Sequence, residues 1–154
     1  MASGTIRRVQ PGDREQLVEM RVLLWPESSA EEQRGEVNAY FARSSASTLP
    51  AVILVSVGDD GRLTGFLEVG LRSHADGCDT TQPVGYVEGW FLREAFRGQG
   101  VGTELMRAAE DWSRAQGCVE MASDALIDNL ASQDAHQALG FEVVDRCVHF
   151  RKPL

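Results

Sequence analysis

A glutamate, Glu88, interrupts the apolar run Tyr86-Val87-Glu88-Gly89-Trp90-Phe91-Leu92. Burying a carboxylate is costly without a partner, so a charge placed here binds a cation or moves a proton. The alternative is a carboxylate on a solvated sheet face. Just downstream lies Arg97-Gly98-Gln99-Gly100-Val101-Gly102, followed by Thr103. The helix it opens carries Val101, Leu105, Ala108 and Trp112 on one face of a period of about 3.6 residues. The glycines therefore sit at a strand-to-helix turn. There they allow close approach of a ligand to the backbone, and the first helical turn offers unpaired N–H groups. Such a turn suits phosphate. The spacing is neither the dinucleotide fingerprint nor a P-loop, which would need a Lys-Ser/Thr pair. A glycine-rich helix start without a ligand is the competing explanation.

Other residues join these with less specificity. Asp124 follows the apolar stretch 118–123, and strand ends commonly face the ligand crevice of α/β sheets; a turn or cap aspartate fits as well. Asp128 reads as a turn residue. His136 lies on a short helix and can donate a proton near neutral pH, or it is a surface histidine. Trp25 closes the first helix as a core residue or faces a ligand. No nucleophile with a partnered base is visible.

The elements that must position these residues follow from periodicity and breakers. Residues 5–9 read as a first strand. Asp13 with Gln16 predicts a capping box, then a helix with Leu17, Met20 and Leu24 on one face, ended by Pro26. Ser29 with Glu32 predicts a second capping box, for a helix running to about Ser44. Residues 51–57 and 63–71 form a hairpin across the turn 58–61. A polar loop spans 73–83, and loops of that length are more often functional than decorative. Residues 84–92 give a strand on which alternation puts Tyr86, Glu88 and Trp90 on one face and Val87, Gly89 and Phe91 on the other. Gly89, inside that strand, marks a bulge or a close backbone approach. A helix over 100–116, a strand over 118–123, a helix over 131–139 and two last strands, 141–145 and 146–152, complete the order β-α-α-β-β-β-α-β-α-β-β. That is a mixed α/β sheet rather than a doubly wound one.

Residues 1–154 are expected to form a single domain, long enough to hold a core. No apolar run approaches the roughly 20 residues of a membrane span, and the N-terminus lacks an apolar signal core. The expected compartment is cytoplasmic. A net charge of −8 argues against nucleic acid as a partner and allows a cationic substrate, although solubility alone explains it more simply. Cys78, Cys118 and Cys147 have no framework spacing, and the histidines have no metal-ligand spacing, so neither disulfide nor metal is expected. Cys118 and Cys147 fall in apolar runs and are expected in the core.

The glycine turn, with its Q/R-x-x-G-x-G/A pattern, resembles the acetyl-CoA pyrophosphate loop of GCN5-related N-acetyltransferases, and the element order resembles theirs. The run from Asn129 to Phe141 is similar to the family's N-x-x-A/S-x-x-x-Y-x-x-x-G-F signature, with His136 where the family usually has tyrosine. Over nearly the whole chain, the runs Met20–Pro26, Pro83–Phe91 and Ala122–Asn129 resemble aminoglycoside 6'-N-acetyltransferases. The resemblance implies a mostly antiparallel sheet with a splayed strand pair and helices on both faces. It implies acetyl-CoA as co-substrate, bound by the backbone of Trp90, Phe91 and Leu92, by Arg97, Gly98, Gln99, Gly100, Val101, Gly102 and Thr103, and by Asn129. It implies a cationic aminoglycoside held by Trp25, Glu88, Asp124 and Asp145, with Glu88 as general base and His136 in the general-acid position. It also implies a homodimer. Members often carry an aromatic in the long loop where Ala75 stands here. An acetyltransferase of another amine, or a non-catalytic acyl-CoA-binding module, would share many of these features.

Overall fold

The structure is a computed structural model describing residues 4–43 and 49–154. Strands β1 (Thr5–Arg8), β2 (Ala51–Val57), β3 (Leu63–Arg72), β4 (Val84–Leu92) and β5 (Met121–Ser123) form one sheet in sequence order. Every pair is antiparallel except β4–β5, which is parallel. Helices α1 (Arg14–Leu24) and α2 (Ala30–Phe41) cover one face, and α3 (Val101–Ala115) covers the other; α4 (Leu130–Ala138) follows β5. The mixed α/β layout with helices on both faces is as expected.

Two cores hold the layers. Leu17, Met20 and Val37 meet Ile53, Val55, Phe66 and Phe91 under the first two helices. Leu105, Met106 and Ala109 of α3 meet Leu54, Leu67, Val69 and Val87 on the opposite face. Phe66 is fully buried and its ring lies against both Trp25 and Phe91, so the core reaches up to the ligand side of the sheet.

Several expectations are corrected. Asp13 does not cap α1 through its side chain. Its carboxylate accepts from the Gln10 N–H (2.7 Å) and from Arg7, which holds its pKa below the usual carboxylate value. Gln16, the other half of the predicted box, is engaged elsewhere: its Oε1 accepts from the Leu63 N–H (2.9 Å). The Ser29–Glu32 box forms as expected. Helix α2 stops at Phe41, and Ser44 lies outside the described residues. Strand β5 begins only at Met121, because the Cys118 N–H still bonds the Ser113 carbonyl and keeps the chain at the helix end. The last two predicted strands do not form. Strand propensity describes a fit to a pleated, half-buried surface, and residues 142–154 have neither a ladder partner nor cover among the described residues. Cys147 is correspondingly exposed rather than in the core, whereas Cys118 is buried.

The β3–β4 register holds the correction that matters most. Glu68 faces Gly89 and Val69 faces Val87, leaving Glu88 as the extra residue of a β-bulge. The bulge shifts the alternation by one. Trp90 therefore packs on the α3 face beside Val87, not on the face of Glu88.

Candidate active site

The bulge turns Glu88 outward from an otherwise buried strand. It then lines a cleft of about 540 Å³ together with Trp25, Arg21, Glu68, Gly70 and Leu71. Gly89 is what lets the cleft close at its floor. A Cβ there would sit 2.8 Å from the Trp25 ring, so only glycine admits the indole against the strand. Both expectations for Gly89, a bulge and a close approach, hold at this one place. Trp25 is half-buried, packed on Phe66 below and on the Arg21 guanidinium beside it (4.7 Å). It is at once a core residue and a wall of the cleft.

Two carboxylates with opposite degrees of freedom face this space. Glu68 pairs with Arg21, whose Nε also donates to Gln33 (2.7 Å). That pair is largely buried and held from several sides. Glu88 accepts both arms of Arg72, at 2.9 and 2.8 Å, and both side chains are substantially exposed. The same guanidinium lies 3.5 Å over the Tyr86 ring. The Tyr86 hydroxyl donates to Asp124 Oδ2 at 2.6 Å. Burial first, and then the Asp124 carboxylate, push the Tyr86 phenol well above its ordinary pKa, so it stays a neutral donor. Glu88 and Asp124 are thereby joined through Arg72 and Tyr86. Asp145 is not brought to them: it lies on the exposed C-terminal segment, and its carboxylate accepts from the Arg146 N–H.

Sequence reasoning missed Glu68, Arg72 and Tyr86 as members of this cluster. Glu68 carried the same signal as Glu88, a carboxylate inside an apolar strand. The partnership of Arg72 with Glu88 depends on the bulge, which no spacing rule reveals.

On the other side of Glu88 the sheet opens. Pairing of β4 with β5 covers only Gly85–Met121, Tyr86–Ala122 and Val87–Ser123. From residue 88 to Leu92 the outer edge of β4 has no ladder partner among the described residues, leaving backbone donors and acceptors free. This edge leads toward the glycine turn. Gly98 and Gly100 have φ of 72° and 86°, a region that favours glycine. Gly100 is the N-cap of α3 without any side-chain cap, and the first helical amide bond runs from Glu104 to Gly100. The N–H groups of Val101, Gly102 and Thr103 are therefore unpaired within the helix. Arg97 and Gln99 brace the turn by donating to the Leu92 and Ala95 carbonyls. The turn fits a pyrophosphate: nothing lies within 4 Å of where a Cβ would stand on either Gly98 or Gly100. The open edge fits an amide-bearing arm.

His136 lies beside the head of the open edge, against Trp90 and Ser123, and Asn129 opens the helix that carries it. The Asn129 side-chain oxygen caps α4 by accepting from the Ser132 N–H, which leaves its amide nitrogen as a donor. His136 Nδ1 lies 2.7 Å from the Ser132 carbonyl and Nε2 lies 2.8 Å from Ser123 Oγ. With the carbonyl fixing the proton on Nδ1, the neutral ring accepts from Ser123; as an imidazolium it donates to it. The ring is clamped edge-on by Trp90 and Phe141. Ser123 pairs with Val87, the last residue before β4 leaves β5.

The sequence and the fold match those of known proteins. The family model described as Acetyltransferase (GNAT) family matches residues 17–141. The aminoglycoside N(6')-acetyltransferase type 1 of Klebsiella aerogenes is 39% identical over 153 residues, 99% of each chain. Among solved structures, the apo aminoglycoside 6'-N-acetyltransferase AAC(6')-IG from Acinetobacter haemolyticus superimposes with a TM-score of 0.85 at 31% identity, covering 97% of this chain and 99% of that one. AAC(6')-Iy in complex with the bisubstrate analog CoA-S-monomethyl-acetylneamine gives a TM-score of 0.85 at 31% identity over 97% and 98%. The chain belongs to the acetyltransferase (GNAT) family, within its group of aminoglycoside 6'-N-acetyltransferases.

Proposed function

We propose that this chain, residues 1–154 acting as one domain, transfers an acetyl group from acetyl-CoA to the 6'-amine of aminoglycoside antibiotics and so confers resistance to them. One observation carries the reading. The same strand, β4, presents a carboxylate into a cleft at its bulge and an unpaired backbone edge running to a glycine-rich helix start. An amine and an acyl donor can therefore meet at Glu88.

Acetyl-CoA supplies an activated acyl carbon and a thiolate leaving group. The N–H groups of Val101, Gly102 and Thr103, with Gly98, Gly100 and the braced Arg97 and Gln99, hold its pyrophosphate. The open backbone of Trp90, Phe91 and Leu92 holds its arm, with the Asn129 amide alongside, and an edge N–H stabilises charge on the acyl oxygen. Glu88 takes the proton from the substrate ammonium, since only the neutral amine attacks. Asp124 binds a second ammonium, and Trp25 gives the sugar rings an apolar wall. Asp145 joins the drug site only if the C-terminal segment moves or comes from another copy. His136, in the general-acid position, returns a proton through Ser123 toward the departing thiolate.

The protein acts as a homodimer in the cytoplasm in this reading, without nucleic acid or membrane. Val143, Val144, Val148 and Phe150 are exposed on the unpaired C-terminal segment, and large exposed apolar patches mark interaction sites. A second copy is the proposed cover, and sedimentation as a monomer at micromolar concentration would remove it. Among the described residues no helix is long and apolar enough to cross a membrane.

The test is regiochemistry. Kanamycin-type drugs are expected to carry the acetyl group on the 6'-amine, located by NMR of the product, and analogues with a 6'-hydroxyl should not react. Acetylation on another ring, or equal turnover of the hydroxyl analogue, would favour an acetyltransferase of other amines.

A further inference from the structure

The Arg72–Glu88 pair is far more exposed than the other ion pair of this cleft. The neighbouring Arg21–Glu68 pair shows what a fixed one looks like: its side chains are 10% and 21% exposed, and Arg21 is also held by Gln33 and by the Trp25 ring. Arg72 and Glu88 are 46% and 38% exposed. Arg72 is the last residue of β3, where the strand gives way to the polar loop. Yet it occupies both oxygens of Glu88 and lies flat on Tyr86, whose hydroxyl is committed to Asp124. In the free protein a cation already stands at the carboxylate that a substrate ammonium needs.

We propose that Arg72 sets the affinity of the amine site: it serves as an internal stand-in for a substrate ammonium on Glu88, and every amine substrate must displace it. The proposal rests on the reading of Glu88 as the amine-binding carboxylate. The consequence is a displacement cost common to every amine. A single ammonium that displaces the guanidinium exchanges one charge contact for another and gains little, since exposed pairs of this kind are weak in either direction. A polycation delivers a further ammonium to Asp124, and that contact makes up for the lost Arg72–Glu88 and Arg72–Tyr86 contacts. Once displaced, Arg72 has no part in the reacting complex, so it affects KM and not kcat.

The experiment compares two amines that share the reacting group: kanamycin, a polycation, and methyl 6-amino-6-deoxyglucoside, a monocation. Arg72→Met removes the stand-in and keeps the apolar stem, and Arg72→Lys keeps a charge without the bidentate fork. Arg72→Met is expected to lower KM for both amines by a similar factor of about two- to fivefold, with kcat for both changed less than about twofold. The ratio of kcat/KM between the two amines is kept, and the KM values of Arg72→Lys fall between those of the wild type and Arg72→Met. A fall in kcat with a rise in KM for both amines would overturn the proposal, because it would make Arg72 an orienting partner of Glu88. A change in KM for one amine and not the other would overturn it as well, because a displaced stand-in costs both amines the same. If the wild-type protein acetylates neither amine, the functional reading fails, and calorimetric titration of both amines still decides this point. Tighter monoamine binding by Arg72→Met supports the stand-in; unchanged or absent binding rejects it.

Discussion

Glu88→Gln is expected to lower kcat by about 10²–10⁴-fold while leaving acetyl-CoA affinity unchanged. The substitution keeps the shape and the hydrogen-bonding reach of the side chain, so the bulge that presents residue 88 and the contact with Arg72 both persist in outline. What disappears is the proton acceptor and the negative charge. An aminoglycoside amine is mostly protonated near neutral pH, and without a base beside it the attacking population is small. KM for the drug should rise too, because loss of a charged contact is worth about 1.5–3 kcal/mol. The cofactor turn lies at the far end of the open edge and does not touch Glu88, which is why the two effects should separate. Steady-state kinetics with kanamycin, together with a thermal-shift titration of acetyl-CoA, make the measurement. Wild-type kcat in Glu88→Gln would end the assignment of Glu88 as base and pass that role to Glu68 or to an ordered water.

Which parts of this site could be read from the chain, and which could not, follows from the range of the interactions. The glycine turn was legible because positive φ at Gly98 and Gly100 is a local demand that glycine meets at little steric cost. The α3 boundaries were legible because a periodic apolar face announces a helix. Glu88 stood out as a charge in an apolar run. The bulge at Glu88 was foreshadowed only by Gly89, and its effect on the phase of Trp90 needed the register against β3. Arg72 and Tyr86 are ordinary residues in sequence; they become site residues because that register sets them beside Glu88 and Asp124. The C-terminal segment failed for the opposite reason. Its alternating pattern suits a strand, but a strand needs an edge to pair with, and periodicity says nothing about whether one is offered. Asp13 and Gln16 likewise have capping chemistry, which Arg7 and the Leu63 amide divert to tertiary use.

Gly100→Asp is expected to abolish acetyl-CoA binding in a protein that still folds. Nothing lies within 4 Å of the place a Cβ would take, so the added side chain meets no steric wall. The φ of 86° strains any L-residue, at roughly 1–3 kcal/mol, though aspartate tolerates this region better than most. Part of that strain is offset, because a carboxylate at an N-cap can accept from the free first-turn amides of α3 and sits at the positive end of its dipole. That compensation is also what removes the cofactor. The introduced carboxylate takes the N–H groups meant for phosphate and repels the phosphate's own charge. Losing two such charge-assisted bonds, at about 1.5–3 kcal/mol each, weakens binding by at least about 10²-fold. In the wild-type protein, acetyl-CoA at about 100 times its Kd should add about 2.7 kcal/mol of stability. For a chain of this size that corresponds to a rise in Tm of roughly 5–10 °C. In Gly100→Asp the rise should vanish, while Gly100→Ala, which has the strain without the charge, should keep a reduced one. An unchanged acetyl-CoA shift in a folded Gly100→Asp protein would mean that the pyrophosphate lies elsewhere, and the assignment of the Arg97–Thr103 turn as its site would fall with it.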